Sequence, residues 1–452
     1  MASSSPSTHD IHGSAKRSLI GATIGFFIGF GAVSLFGPTA RSFIEVMKLG
    51  PSQVGFLVAM PMLTGSLLRI PFGAWVDRNG GKLPFLALLL TSVVGIAGLY
   101  WMLLTLYPNN LTQAHYPLLL FFGALGGCGI ATFSVGIGQV SYWFPKSGQG
   151  KALAIYAGLG NTSPGLVAIL LPLIIAAGGL WVGYLVSLAI VLVGIVLYFF
   201  LGFNAPYFQL RSQQGMPVDE AQALAKTHGQ EMFPATSVLR TLLDSAASWR
   251  TWPLVALYFT SFGGFLALTA WLPTFWTSFY KAPGWVAVAL TAGFSLFASI
   301  IRVPGGSWSD RFGGEKVALA SFTTLLVGAV LMTVSQNFWL TVAGEFLVGA
   351  GMGVANAAIF KLVPHYVPDA VGGTAGWVGG LGALGGFVMP PLLGRIAQSM
   401  GEIGYARGYM IYIVLAIASL ALTSLLYVKR NGVKPRVAGG AGHAAAGSRA
   451  GA

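Results

Sequence analysis

Two arginines, Arg69 and Arg302, lie inside hydrophobic stretches long enough to cross a membrane, and each opens the same thirteen-residue pattern. Residues 69–81 and 302–314 both read Arg-x-Pro-x-Gly-x-Trp-x-Asp-Arg-x-Gly-Gly, with matching positions 233 residues apart, about half the chain. A guanidinium is flat, always charged, and carries parallel N–H donors that can meet two oxygens of one planar partner. At the centre of a lipid-facing helix such a charge costs roughly 2.5–3.5 kcal/mol even on the mildest scale. A charge held there twice, at equivalent places, therefore reads as working in a polar cavity; the competing reading is that both arginines only satisfy helix carbonyls.

The elements that must position these residues are membrane spans. The chain has 452 residues, 55% hydrophobic and 8% charged, with a mean hydropathy of +0.74, far too apolar for a soluble globular protein of this size. Apolar windows of about twenty residues, each enough for a hydrocarbon core of about 30 Å, fall at 18–37, 53–77, 84–106, 116–141, 151–177, 179–203, 251–279, 285–310, 316–336, 338–363, 371–398 and 407–428. The fold class is an all-α membrane protein of twelve transmembrane helices in two pseudo-symmetric six-helix bundles. The expected divisions are an N-terminal tail 1–17, a first bundle 18–203, a connector 204–250, a second bundle 251–428 and a C-terminal tail 429–452.

The net charge of +13 does not call for a nucleic-acid partner, because its distribution has another cause. Arg41, Lys48, Lys281, Arg395 and Arg407 are the cations of one set of loops, whereas eighteen lysines and arginines, from Lys16 and Arg17 to Arg449, fall on the side of the termini and connector. The positive-inside rule then gives an N-in/C-in orientation in the cytoplasmic (inner) membrane, with anionic lipid as the partner of the excess charge. The apolar stretch after Arg17 continues without a small-residue cleavage site and reads as the first span. The lone Cys128 excludes an internal disulfide framework. No His/Cys/acid constellation or nucleophile–base pair stands out, so neither enzyme, metal nor cofactor is expected; the chain is expected to act as a monomer.

Two further features repeat between halves. Asp77-Arg78 and Asp310-Arg311, each followed by Gly-Gly, end the second and eighth spans and can hold neighbouring helices together at one face through ion pairs and helix-terminus contacts. Their expected role is conformational. The fifth span carries Ala157-Gly-Leu-Gly-Asn-Thr-Ser-Pro-Gly165, and the eleventh a glycine-dense run over 372–386 followed by Pro390-Pro391. Glycines such as Gly158, Gly160, Gly382 and Gly385 allow close backbone approach and smooth faces for helices that rock. Asn161 differs, since an amide in such a run must face a polar space or lose its hydrogen bonds.

Together these stretches closely resemble the nitrate/nitrite porter family of the major facilitator superfamily, which is marked by Gly-rich signatures in helices 5 and 11 and by one arginine each in helices 2 and 8. The fifth-span signature departs from the family at Thr162-Ser163-Pro164, where many members have more glycine, and Pro164 is expected to kink the helix. The resemblance implies that Arg69 and Arg302 clamp the anion, that Asn161 donates to it, and that aromatic contacts come from Tyr258 and Phe262 in the seventh span, Phe133 in the fourth and Phe36 in the first.

That assignment suits nitrate and nitrite, which are flat, singly charged and delocalised. Arg69 precedes Asp77 by eight positions, so at 1.5 Å each it lies on the order of 10 Å in from the helix end, near the midplane where transporters built from repeats bind cargo. Sugar or peptide porters would need many more polar groups than these spans offer. Glu345 is the clear acidic exception within a span and reads either as a proton carrier or as a structural partner. With cationic sites and almost no intramembrane acid, nitrate/nitrite antiport is favoured; nitrate/proton symport, a small-carboxylate (oxalate or formate) exchanger and a non-transporting anion sensor stay open.

Overall fold

The computed structural model describes residues 10–234 and 238–432, and in it twelve helices are long and apolar enough to span a membrane. They are α1 (Ala15–Ser34), α2 (Pro51–Asn79), α3 (Lys82–Leu106), α4 (Gln113–Trp143), α5 (Ser147–Gly178), α6 (Leu180–Leu201), α7 (Thr251–Phe279), α8 (Gly284–Phe312), α9 (Gly314–Val334), α10 (Phe338–Tyr366), α11 (Val371–Met400) and α12 (Glu402–Lys429). Most extend a few residues beyond the apolar windows, because a helix continues through polar ends that hydropathy does not register. The largest difference is at α12, which begins with the helical segment Glu402–Arg407 rather than at 407.

Caps set several ends. Ser14 accepts from the Arg17 amide at 3.3 Å to start α1, and Asn337 accepts from Trp339 and Leu340 to start α10. The turn after α2 needs the glycine found there: Gly80 sits at φ +78°, and the adjoining Asn204 accepts from the Lys82 amide at 2.9 Å. The connector contains short helices at Pro206–Gln213, Val218–Thr227 and Val238–Ala247. The last of these reaches α11, where the Trp377 indole donates to the Leu242 carbonyl at 3.0 Å.

Among the described residues five spans are broken near their middles: α4, by a 3₁₀ stretch over Gly127–Ala131 packed inside the first bundle, and four whose breaks lie toward the seam between bundles. α2 turns at Leu68, immediately before Arg69, where Pro71 removes the amide that would bond the Leu67 carbonyl. α5 is interrupted at Asn161-Thr162 and restarts with Pro164 in its first turn. α7 carries a π-helical turn over Phe259–Gly263, and α11 loosens over 382–384. Each break frees backbone groups and re-aims side chains at membrane depth, which is tolerated only where protein or a polar cavity covers them.

The seam is asymmetric. On the face away from the termini the bundles touch closely: a Cβ on Gly55 of α2 would collide with the Pro390 carbonyl of α11, and one on Gly165 of α5 would lie 2.8 Å from the Leu296 side chain of α8. On the terminal side, Gly158 stands nearly one turn from Asn161 and Gly306 one turn from Arg302, on the same helix faces, and a Cβ on either would meet nothing within 4 Å. α5 and α8 are thus packed more closely in the far half than in the half toward the termini.

Candidate anion site

Arg69 is only 1% exposed, although it is one of the largest side chains in the molecule. Its Nε donates to Gly65 one turn back at 3.1 Å, and its Nη1 crosses the seam to the carbonyl of Gly379 on α11 at 3.0 Å. The carbonyl reading of this residue thus holds for part of its fork. Nη2 is buried with no hydrogen-bond partner among the described residues. A charged donor left in that condition is costly, and it marks the side of the guanidinium open to another acceptor.

Aromatic rings wall the same space. The Arg69 guanidinium carbon lies 4.9 Å from the centre of Phe133 and 5.2 Å from that of Phe262, both within cation–π range. Phe262, carried on the π turn of α7, stacks on Tyr258 with centroids 4.9 Å apart, and Tyr258 meets Phe360 of α10 edge to face. Tyr258 is fully buried and its hydroxyl has no well-formed hydrogen bond among the described residues, yet it lies within electrostatic reach of both Arg69 and Arg302.

Arg302 borders a crevice, too narrow in this state to admit a water molecule, shared with Asn161, Phe262, Phe265, Ser299 and Asn356. The break in α5 places Asn161 there: its backbone carbonyl accepts from Ser299 of α8 at 3.0 Å, while its side-chain Oδ1 is buried and unpartnered. Asn356 of α10 is 3% exposed and its Oδ1 is likewise unpartnered among the described residues. Phe262 joins the two sets of groups: Arg69 and Tyr258 lie against its ring, and it lines the crevice with Arg302, Asn161 and Asn356; two guanidinium groups, two amides and a phenol around aromatic rings suit a small, flat, delocalised anion and have little to offer a polyol.

The sequence placed Arg69, Arg302, Asn161, Tyr258, Phe262 and Phe133 in one site, and the structure brings these six together. Phe36 is a correction. It packs on Phe43 at 5.9 Å and against Gly123, toward the face away from the termini, and the α1 aromatic that stacks on Phe262 is Phe30, at 6.4 Å. The glycines divide: Gly158 lies in the more loosely packed half of α5, whereas Gly160 packs on Phe26, and Gly382 and Gly385 pack on the Tyr258–Gly263 region of α7 within their own bundle. They seat the π turn; the seam itself uses other glycines, including Gly55 and Gly380. Asn356, Phe265 and Ser299 were missed. An amide inside an apolar span was the signal that singled out Asn161, and it applies equally to Asn356.

The loop acids sit outside this space, as expected, but are held in different ways. Asp77 accepts from the Tyr142 hydroxyl of α4 at 2.5 Å, whereas Asp310 forms an ion pair with Lys361 of α10. Arg78 and Arg311 are exposed. Glu345 is fully buried inside the second bundle, where one carboxylate oxygen accepts from the Trp276 indole at 2.7 Å. It lies eleven residues along α10 from Asn356, on the order of 16 Å at 1.5 Å per residue.

Two six-helix bundles closing on a cationic site at their seam define a membrane transporter rather than an enzyme, and the chain belongs to the Major Facilitator Superfamily, whose sequence profile matches residues 22–293 and 281–449. The fold agrees: the xylose transporter XylE from E. coli superposes with a TM-score of 0.68 at 14% identity, covering 91% of this chain and 99% of that one. Within the superfamily the chain belongs to the nitrate/nitrite porter family. It is 30% identical to a probable nitrate/nitrite antiporter of Thermus thermophilus over 433 residues, 88% of this chain and 89% of the relative. It is 27% identical to the nitrite extrusion protein of Bacillus subtilis, covering 84% and 87% of the two chains.

Proposed function

We propose that this protein moves nitrate and nitrite across the cytoplasmic membrane by alternating access, exchanging one for the other, as a monomer with both termini in the cytoplasm. The observation that carries the reading is that Arg69 and Arg302, one from each bundle, meet at one ring, Phe262: the Arg69 guanidinium lies over it, and it lines the crevice that Arg302 borders. Arg69, through its free Nη2, and Arg302, through its fork, grip the anion's oxygens, Asn161 and Tyr258 donate to it, and Phe133 and Phe262 exclude water and size the pocket. The names of the relatives, one an antiporter and another a nitrite extrusion protein, support both the cargo and the exchange.

Exchange follows from charge. Two cations facing one another across a seam repel, and closing the bundles around them is eased when an anion lies between. Arg69's bond to Gly379 already ties the two bundles together at the level of the site. One oxygen of Glu345 accepts from Trp276 while the other is buried without a partner among the described residues; it is the distance along α10 from the arginine site that favours the structural reading over a proton carrier.

Cargo is tested by labelled-nitrate uptake into proteoliposomes with unlabelled competitors. Nitrite and nitrate should compete, and oxalate, formate and sulfate should not. Competition by oxalate or formate equal to that by nitrite would move the protein to the carboxylate exchangers.

A further inference from the structure

We propose that Asn356 contacts the cargo and distinguishes three-oxygen from two-oxygen planar anions. The inference rests on the nitrate/nitrite reading and deepens it. Asn356 stands in the middle of α10, and its carboxamide oxygen has no partner among the described residues. Leaving a buried polar atom unmatched costs on the order of 1–3 kcal/mol, so stability alone would favour an apolar residue there. The side chain borders the same narrow space as Arg302 and Asn161. Its helix is also fixed closely against α8: a Cβ on Gly353 would lie 2.6 Å from Ile301, and one on Gly305 would lie 3.0 Å from Val354. The amide is therefore held at the space and has a hydrogen-bonding requirement that the protein does not meet.

An acceptor oxygen calls for a donor, which an oxyanion lacks; turned about its last torsion, the same amide presents its N–H₂ group to the space instead, a donor for an oxyanion. With Asn356 counted, each bundle supplies one arginine and one asparagine: Arg69 with Asn161, and Arg302 with Asn356. Nitrate presents three equivalent oxygens and three O–N–O edges; nitrite presents two oxygens, one edge and a nitrogen lone pair. The Arg302 fork can engage one edge of nitrate and the free Nη2 of Arg69 the third oxygen, which leaves acceptor capacity for both amides. Nitrite has only the one edge, so an amide positioned for the third oxygen lacks its acceptor. A site built to hydrogen-bond a group discriminates against the analogue that lacks it.

The test is equilibrium binding of sodium nitrate and sodium nitrite to the full-length detergent-purified protein, by titration calorimetry, for wild type and Asn356→Leu. Leucine is close in size and has no hydrogen-bonding group, so folding should be kept. The expected result is a loss of nitrate affinity of about tenfold with nitrite affinity changed by no more than about threefold, in line with loss of one hydrogen bond to a charged partner. Should the leucine variant fail to fold, Asn356→Ala carries the same expectation without added bulk. An unchanged nitrate-to-nitrite ratio in a variant that still binds either anion overturns this assignment alone. Wild-type protein that binds neither anion overturns the nitrate/nitrite reading, and this assignment with it.

Discussion

Arg69 on α2 donates across the bundle seam to the carbonyl of Gly379 on α11, 3.0 Å away. The same guanidinium carries the buried, unpartnered Nη2 and faces Phe133 and Phe262. One side chain therefore touches both halves of the molecule and the space between them, so anion binding and bundle closure draw on the same donors.

Replacing Arg69 or Arg302 with lysine keeps the charge and removes the fork. Each variant should lose nitrate uptake by roughly 10- to 100-fold at matched expression, the range for charge-assisted hydrogen bonds worth about 1.5–3 kcal/mol. Uptake in proteoliposomes, with size-exclusion profiles to establish folding, measures this. Near-normal uptake by either variant would remove that arginine from the site.

Asp77 lies away from the arginine site and accepts from the Tyr142 hydroxyl, and its proposed role is conformational. Asp77→Asn should slow turnover about tenfold and leave equilibrium nitrate affinity within about twofold, since it shifts a conformational balance rather than a contact with the anion. Tyr142→Phe should resemble it, and the double variant should be no worse than the more severe single one, because both remove one interaction. Affinity lost in proportion to turnover would contradict this.

Closure of the far face depends on bare backbone at Gly55, where a methyl group would collide with Pro390. Gly55→Val should hold the bundles apart there and abolish exchange, while nitrate still binds to detergent-solubilised protein held open at that face. Cysteine-accessibility labelling on either side of the seam would detect the change; full exchange activity would show that α2 and α11 need not meet so closely.

Glu345 and Trp276 serve packing in this account. Glu345→Gln retains an acceptor for the indole and should keep exchange within about twofold, whereas Glu345→Leu leaves a buried indole N–H unmatched and should cost about 1–3 kcal/mol of stability. Thermal unfolding and transport measured on the same preparations separate the two effects.

Much of this arrangement was legible in the sequence. Apolar windows located the spans, and a repeated pattern containing an intramembrane charge located both arginines, because a membrane makes such a residue too costly to be incidental. The kink expected from Pro164 is present as a break at Asn161. What stayed hidden depends on three-dimensional direction. Phe36 and Phe30 are equally good aromatics six positions apart, and only the course of α1 and the 3₁₀ stretch after it decides which ring faces the seam. The glycines of α11 signalled close approach but not which neighbour is approached. Likewise Asp77 and Asp310 share one motif, yet one meets a tyrosine and the other a lysine, because the partners lie on α4 and α10, outside the repeat.

The central claim is that an anion between Arg69 and Arg302 is what lets the bundles close. It is tested most directly by nitrate entry into proteoliposomes either preloaded with nitrite or empty, each with and without an inward proton gradient. The account predicts entry accelerated at least about tenfold by internal nitrite, with no substitute effect of the proton gradient, since a bound anion relieves the repulsion that opposes the return step. Robust proton-driven entry into empty vesicles, lost in Glu345→Gln, would contradict it and make the protein a nitrate/proton symporter.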